Sequence, residues 1–125
     1  MKKLILNSMI LMASTGHADV IKCVFTEPFI NTTYSMTQST LTYQDSENKI
    51  KILKNVSFQI KSAGVFELTS KDGKVLQTLT LNNEGSDGMS DAVYPYEVQD
   101  SSQLSSANRG IGGCTSNQLK KSSAE

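Results

Sequence analysis

Four carboxylates lie close together in residues 84–97, and they are the side chains best suited to chemistry. Asp87 and Asp91 are four residues apart, with Glu84 before them and Glu97 after them. Paired carboxylates act as general acid and base in hydrolases, and carboxylate clusters ligate calcium. The spacing of a calcium-binding loop is absent, however, and the glycine between the two aspartates is typical of a capped turn. We therefore expect Asp87 and Asp91 to be structural and predict no catalytic residue.

The same loop offers a binding surface for a partner. The predicted contact residues are Asp87, Met89, Ser90, Asp91, Tyr94 and Tyr96. Tyr94 and Tyr96 are expected on one face of a strand, where tyrosine combines apolar area with a hydroxyl group. Three alternatives remain open: the two rings pack in the core or at its rim, Met89 plugs the loop against the core, or the loop is only a structural cap.

Histidine chemistry is excluded from the body of the chain. The single histidine, His17, falls within a segment that we predict to be removed on export. Without it, neither a Ser-His-Asp nor a Cys-His nucleophile can be assembled, nor can a histidine-ligated zinc site. Ser90 would have no base other than a lysine. The sequence also lacks GxxxxGK and GxGxxG patterns, so it predicts no enzyme, no metal site and no cofactor.

Residues 1–18 have the features of a secretory signal peptide. Two lysines near the start precede an apolar run at 4–12, and small residues follow at 16–18. The apolar run is shorter than the roughly 20 residues needed to span a bilayer. We expect a periplasmic or secreted protein that begins at Asp19 and keeps no integral membrane segment.

Two cysteines, Cys23 and Cys114, follow the predicted signal peptide. In an oxidising compartment they are expected to form a disulfide, since they lack the Cys-x-x-Cys spacing and the histidine partners of a metal site. In the chain-entropy relation, a crosslink that closes about 90 residues stabilises the fold by roughly 4 to 5 kcal/mol.

The charge of the chain argues against nucleic-acid and membrane-surface partners. The sequence has 12 basic and 12 acidic residues, and removal of the two leader lysines leaves 10 and 12, a net charge of about −2. Nucleic-acid binding requires a basic patch, whereas these charges are dispersed. The expected partner is a protein or another component of the cell envelope.

Alternation with a period of two, rather than 3.6, predicts β-strands throughout the chain after Asp19. Strands are predicted at 20–25, 29–36, 40–44, 65–70, 75–81, 94–98 and 109–116. Residues 49–61 are predicted to form either one long half-buried strand or two strands with a bend near Lys54 and Asn55. The expected core face of this segment consists of Ile50, Ile52, Val56, Phe58 and Ile60.

Tight turns separate the predicted strands. The Lys-Asp-Gly-Lys sequence at 71–74 lies between two β-rich runs and is a strong hairpin signal. We predict one all-β domain at 19–117, a small antiparallel barrel or closed sandwich of about seven or eight strands with one disulfide. A flexible tail is expected at 118–125.

Three motifs resemble those of a family of small, uncharacterised secreted bacterial proteins and lipoproteins. Thr-Glu-Pro-Phe at 26–29 resembles the family's Asn-Glu-Pro-Phe-Trp-type motif, although Ile30 replaces the tryptophan. The Asp-Gly-Met-Ser-Asp…Tyr-Pro-Tyr-Glu-Val segment at 87–98 is similar to its Asp-Ser-Met-Ser-Gly…Tyr-Pro-Tyr-x-Val segment. Gly-Gly-Cys at 112–114 is similar to its terminal Gly-Cys-Gly.

This resemblance implies a secreted, β-barrel-like domain with a disulfide near the Met-Ser loop, and it implies no known activity. The family's first cysteine, just before that loop, is replaced here by Glu84 and Gly85. The partner of Cys114 must then be Cys23. The architecture is also similar to that of periplasmic inhibitors of C-type lysozyme, which tie a cysteine on the first strand to one near the C-terminus.

Three functions follow from these observations. The favoured one is a non-enzymatic, secreted or periplasmic binding module of unknown ligand, with the loop at 87–96 as its contact surface. The alternative is an inhibitor of a cell-wall-degrading enzyme. A hydrolase that uses the acidic loop is the least favoured.

Overall fold

The computed structural model describes residues 19–26, 29–102, 104, 110–119 and 122–123. The predicted signal peptide and the Glu-Pro pair at 27–28 lie outside these residues. Most of the described chain is β-strand and none of it is α-helix. Accordingly, no helix in this part of the chain is long and apolar enough to cross a membrane. The predicted all-β class is confirmed.

The described residues form ten strands, most of them joined by short turns. They are β1 (Val20–Phe25), β2 (Ile30–Ser35), β3 (Thr40–Asp45), β4 (Ile50–Lys54), β5 (Ser57–Ser62), β6 (Val65–Thr69), β7 (Val75–Gly85), β8 (Ala92–Asp100), β9 (Ile111–Ser116) and β10 (Ser122–Ser123). The alternating apolar pattern located the first nine, and the alternative of two strands within 49–61 is the correct one.

Nine strands form one antiparallel sheet in the order β4-β3-β2-β1-β9-β8-β7-β6-β5. Its two edges, β4 and β5, are neighbours in sequence and are separated only by Asn55 and Val56. Asn55 has a φ of 61°, a left-handed conformation that asparagine adopts more readily than most residues. The edges are therefore joined at one bend without closing into a ladder. The fold is a sandwich or an open barrel, with more strands than the seven or eight predicted.

The predicted disulfide between Cys23 and Cys114 is present. Both cysteines are buried, and they lie directly opposite each other in the β1–β9 pair. This pair is in the middle of the sheet, where the β1–β4 half meets the β5–β9 half. The crosslink thus joins the first strand to β9 as expected, but the free edges lie elsewhere.

Inward-facing residues from both halves of the sheet form one apolar core. Its largest fully buried apolar and aromatic side chains are Tyr34, Phe25, Ile21, Leu41, Leu68, Leu79, Val56 and Val98. On the side of β5 to β8, Phe58 stacks on Phe66 with ring centroids 5.2 Å apart, and Phe66 meets the edge of Tyr96 at 6.3 Å. The core therefore contains side chains from both halves of the sheet, together with the disulfide.

The apolar face predicted for residues 49–61 is only partly in the core. Val56 is buried and Phe58 packs against the core. The exposed members are Ile50, Ile52 and Ile60, at 60%, 53% and 72%. The prediction is wrong for Ile50 and Ile52 because β4 directs the alternate residues inward, and for Ile60 because it lies at the irregular end of the edge strand β5. In β4 the inward residue is instead Leu53, which pairs with the buried Leu41.

Part of the predicted tail is paired with the body of the domain. β10 pairs with the beginning of β8. Asn117 contacts the start of β1, because its side-chain oxygen accepts a hydrogen bond from the backbone nitrogen of Asp19 at 2.8 Å. The backbone nitrogen of Asn117 also donates to the carbonyl oxygen of Val20 at 3.1 Å. The segment that follows β9 is therefore in contact with the start of β1.

Candidate functional site

The loop at 86–91, which connects β7 to β8, is organised around the carboxylate of Asp87. Its Oδ1 accepts hydrogen bonds from the backbone amides of Met89 at 2.9 Å and Ser90 at 2.8 Å. Its Oδ2 accepts hydrogen bonds from the hydroxyls of Ser90 at 2.7 Å and Tyr94 at 3.1 Å. Bonds from an aspartate to amides two and three residues ahead are typical of a capped turn, so the turn-capping role expected for Asp87 is present in the structure.

These donors stabilise the charged form of the Asp87 side chain. They lower its pKa to about 2, with the backbone amide of Ser90 making the largest contribution. Burial, and then the neighbouring negative charge, raise the pKa of Tyr94. Because both oxygens of Asp87 are already engaged and the group stays ionised, it is poorly suited to donate or accept a proton in catalysis.

Glycines allow the loop to pack closely against β1 and β9. Gly88 has a φ of +81°, and a Cβ atom there would lie 2.5 Å from the hydroxyl oxygen of Thr26. A Cβ atom on Gly113 would lie 2.8 Å from both the backbone nitrogen of Ser86 and Cγ of Tyr94. The second of the two glycines at 112–113 is therefore required by the loop that covers it.

The structure brings together three of the six predicted contact residues. Asp87, Ser90 and Tyr94 form one hydrogen-bonded group, in which Asp87 is only 9% exposed. Met89 and Asp91 point into solvent, and Met89 is 66% exposed. The interpretation of Met89 as a plug against the core is therefore wrong. Ser86 and Ser90 are exposed as well, so Met89 is the one large apolar side chain and Asp91 the one carboxylate that the loop at 86–91 exposes.

Tyr94 and Tyr96 pack against opposite faces of the sheet. Tyr94 packs over Gly113. The residue paired with Gly113 is the exposed Glu97, so this is the outer face of the sheet. Tyr96 pairs with the buried Cys114 and contacts Phe66 in the interior. The expectation of one shared face is wrong because the β7–β8 register shifts between the two tyrosines, where Tyr96 pairs with Leu81 and Tyr94 pairs with Gly85. Both rings are nearly buried, so neither offers an open surface for stacking.

A second buried carboxylate, Asp100, was not singled out from the sequence. Its Oδ2 accepts hydrogen bonds from the hydroxyl of Tyr43 at 2.5 Å and from Nε2 of Gln77 at 3.1 Å. Its Oδ1 accepts hydrogen bonds from the backbone nitrogen and the hydroxyl of Ser102 at 2.9 and 2.6 Å. Burial, and then Asp100, raise the pKa of Tyr43. The group joins β3, β7 and the end of β8 and has the character of an internal support.

A groove along the free edge of β4 was also missed. It has a volume of about 790 Å³ and is bordered by residues 51–54 on one side and the β6–β7 turn, with Lys71 and Lys74, on the other. Leu76 and Leu104 also line it. The available signal was the alternation of lysine and isoleucine at the start of residues 49–61, of which the isoleucines are predicted above to face the core and the lysines to face water.

Metal and thiol chemistry find no support among the described residues. No group of three or more histidine, cysteine, aspartate or glutamate side chains is placed there to hold a metal ion. Both cysteines are in the disulfide.

Comparison of the chain with protein-family models, with curated proteins and with solved structures finds no match. The resemblance to the secreted bacterial family therefore stays a prediction.

Proposed function

We propose that this protein is a non-enzymatic binding module of the periplasm or the extracellular space, with the loop at 86–91 as its contact element. One observation carries the proposal: the carboxylate of Asp87 fixes the loop from within and leaves Met89 and Asp91 in solvent. Loops held by a rigid scaffold commonly carry binding residues. A loop that is already ordered also loses less conformational entropy on binding.

The exposed side chains define the chemistry of the partner. Met89 is a flexible, polarisable side chain that adapts to an apolar pocket. Asp91 beside it and Glu84 at the end of β7 are both exposed and add negative charge. The complementary surface is therefore an apolar pocket with basic residues at its rim, on a protein of the cell envelope.

An inhibitor of a cell-wall-degrading enzyme is the second candidate. The fold supports it only in outline, since β1 is tied by a disulfide to a strand near the end of the chain, as in the inhibitors of C-type lysozyme whose architecture is similar. Hydrolysis by the acidic loop has less support, because the carboxylate of Asp87 is fully occupied by hydrogen bonds from its own loop and from Tyr94.

The test is crosslinking capture from a cell-envelope extract with the oxidised protein and a Met89→Ala/Asp91→Asn variant. Both substitutions change exposed side chains and leave the Asp87 hydrogen bonds in place. The matched control is Gln38→Ala/Glu47→Gln, which changes exposed residues in two other turns. We expect the loop variant to lose a partner that the wild type and the control retain.

Equal capture by all three proteins would contradict a contact role for the loop. A direct assay of the oxidised protein against C-type lysozyme on cell walls separates the two candidates. Inhibition that Met89→Ala/Asp91→Asn removes would support the inhibitor, whereas full lysozyme activity in the presence of excess protein would exclude inhibition of this enzyme class.

A further inference from the structure

We infer that the free edge of β4 is a docking site for an extended acidic peptide segment of a partner protein, which would pair with β4 as an additional strand. The loop at 86–91 takes no part in this site. Three features of the edge carry the inference: its backbone polarity, its exposed isoleucines and the lysines that face it.

The backbone of β4 has one row of hydrogen-bonding groups directed away from the sheet. On the β3 side, the backbone nitrogen of Asp45 donates to the carbonyl oxygen of Lys49 at 3.1 Å. Antiparallel pairing alternates, so residues 49, 51 and 53 face β3, and Ile50, Ile52 and Lys54 direct their amides and carbonyls outward. No described strand pairs with this outer side. Such an edge is a template for strand addition.

The exposed isoleucines favour occupation of this edge. Ile50 and Ile52 lie at its outward positions, and each has more than half of its surface in solvent. Side chains of an added strand would lie about 5 Å away on the same face and cover them. At about 3.3 Å per residue, the five residues of β4 are long enough to pair with a short extended segment of similar length.

Charge selects the kind of segment. Four lysines line the groove beside this edge, namely Lys51, Lys54, Lys71 and Lys74, and the only acidic residue among its described lining is Asp72. Asp72 accepts a hydrogen bond from the hydroxyl of Ser70. Within the described residues, none of the four lysines has a carboxylate within 4.0 Å. This local excess of positive charge lies in a chain whose basic and acidic residues balance, and it complements carboxylates.

The same features disfavour other occupants. An antiparallel pair of β4 strands from two copies would place their lysines near one another, and like charges across a strand pair are destabilising. Edge lysines therefore oppose self-association. A fatty-acid chain would cover the isoleucines but would leave the outward amides and carbonyls of β4 unpaired. An extended acidic peptide satisfies the backbone, the isoleucines and the lysines together.

The experiment measures the fluorescence anisotropy of a labelled peptide of about eight alternating Glu and Val residues on titration with the oxidised protein. We expect saturable binding that weakens about tenfold or more in a Lys51→Glu/Lys74→Glu variant and in about 0.5 M salt. Lys22→Glu, a single charge reversal on an exposed residue of β1 and thus half the change in net charge, should stay within about twofold of the wild type.

A proline tests the backbone part of the inference. The amide of Ile52 faces away from β3, so Ile52→Pro removes an outward donor without removing a β3–β4 hydrogen bond, and it should abolish peptide binding. The lysine variant decides the outcome if Ile52→Pro fails to fold. Equal binding of a Lys-Val peptide, no saturation at about 1 mM protein, or unchanged binding by the lysine variant would overturn the inference. Saturable binding of dodecanoate without binding of the acidic peptide would also overturn it.

Discussion

The hydroxyl of Tyr94 donates to Oδ2 of Asp87 at 3.1 Å, and this bond ties the start of β8 to the loop that precedes it. Tyr94 also lies over Gly113 of β9, so one side chain contacts both the loop and the sheet. The loop is therefore held from the inside by a carboxylate and from the side by a ring. The backbone that carries its exposed residues is therefore ordered by hydrogen bonds within the domain.

The stability of the protein should depend on the ionisation of Asp87. Its pKa is lowered from 3.8 to about 2 in the folded protein, so the stabilisation is fully present above the unfolded value and is lost as the pH falls from about 4 to about 2. The size of the effect is about 2 kcal/mol. Urea unfolding at several pH values between about 2 and 5 measures it.

Asp87→Asn is the matched control for this dependence, because asparagine keeps an oxygen acceptor but does not titrate. The variant should be less stable at neutral pH and should lose the corresponding part of the acid dependence. If wild type and variant showed the same decrease in stability below pH 4, other carboxylates would have to account for it.

Gly88 should tolerate alanine less well than Gly73 does. Both have a positive φ, +81° and +88°, so the backbone penalty is shared. A Cβ atom at 88 would also lie 2.5 Å from the Thr26 hydroxyl, whereas nothing lies within 4 Å of one at 73. We expect Gly88→Ala to cost about 1 kcal/mol more than Gly73→Ala in denaturant unfolding. Equal losses would mean that Thr26 moves aside freely.

Tyr43→Phe should destabilise the protein more than Tyr34→Phe does. The hydroxyl of Tyr43 bonds to the buried carboxylate of Asp100 at 2.5 Å, whereas that of Tyr34 bonds to the neutral carbonyl of Val56 at 2.8 Å. Hydrogen bonds to charged groups contribute more, so we expect losses of about 2 to 3 kcal/mol and about 1 kcal/mol. Denaturant unfolding of the two variants measures the difference, and equal losses would show that Asp100 recovers a donor after the change.

Reduction of the disulfide should lower the thermal midpoint by more than about 10 °C, since the bond closes a long loop in the unfolded chain. Calorimetry with and without reductant measures the shift. A Cys23→Ala/Cys114→Ala variant should start at the lower midpoint and be insensitive to reductant. An unchanged midpoint on reduction would show that the core and the β1–β9 ladder hold the two halves together unaided.

The local features of this fold were predictable from the sequence, and its long-range features were not. Alternation located the strands, and the Lys-Asp-Gly-Lys turn at 71–74 located a hairpin, because both depend on neighbouring residues. Alternation also shows that Ile50 and Ile52 share a face. It does not show whether another strand covers that face, since sheet order depends on pairings distant in sequence.

In the candidate site, too, the local features were predictable from the sequence and the long-range features were not. The turn-capping role of Asp87 depends on amides two and three residues ahead and was expected. The separation of Tyr94 from Tyr96 depends on a register shift between β7 and β8 that no local pattern marks. The groove beside β4 depends on the placement of the β6–β7 turn across from it, which a local pattern does not encode.

The bend at Asn55 and Val56 connects the two edge strands of the sheet, β4 and β5. From β5 to β9, and again from β1 to β4, each strand lies beside the strand that follows it in sequence, and β9 lies beside β1. The nine strands thus form an up-and-down meander that the chain interrupts in the middle, between β9 and β1. At that point the backbone nitrogen of Asp19 lies 2.8 Å from the side-chain oxygen of Asn117. A few residues away, the disulfide between Cys23 and Cys114 connects β1 to β9. Linking the end of β9 directly to the start of β1 and opening the chain at the bend would make all neighbours in this nine-strand order consecutive in sequence.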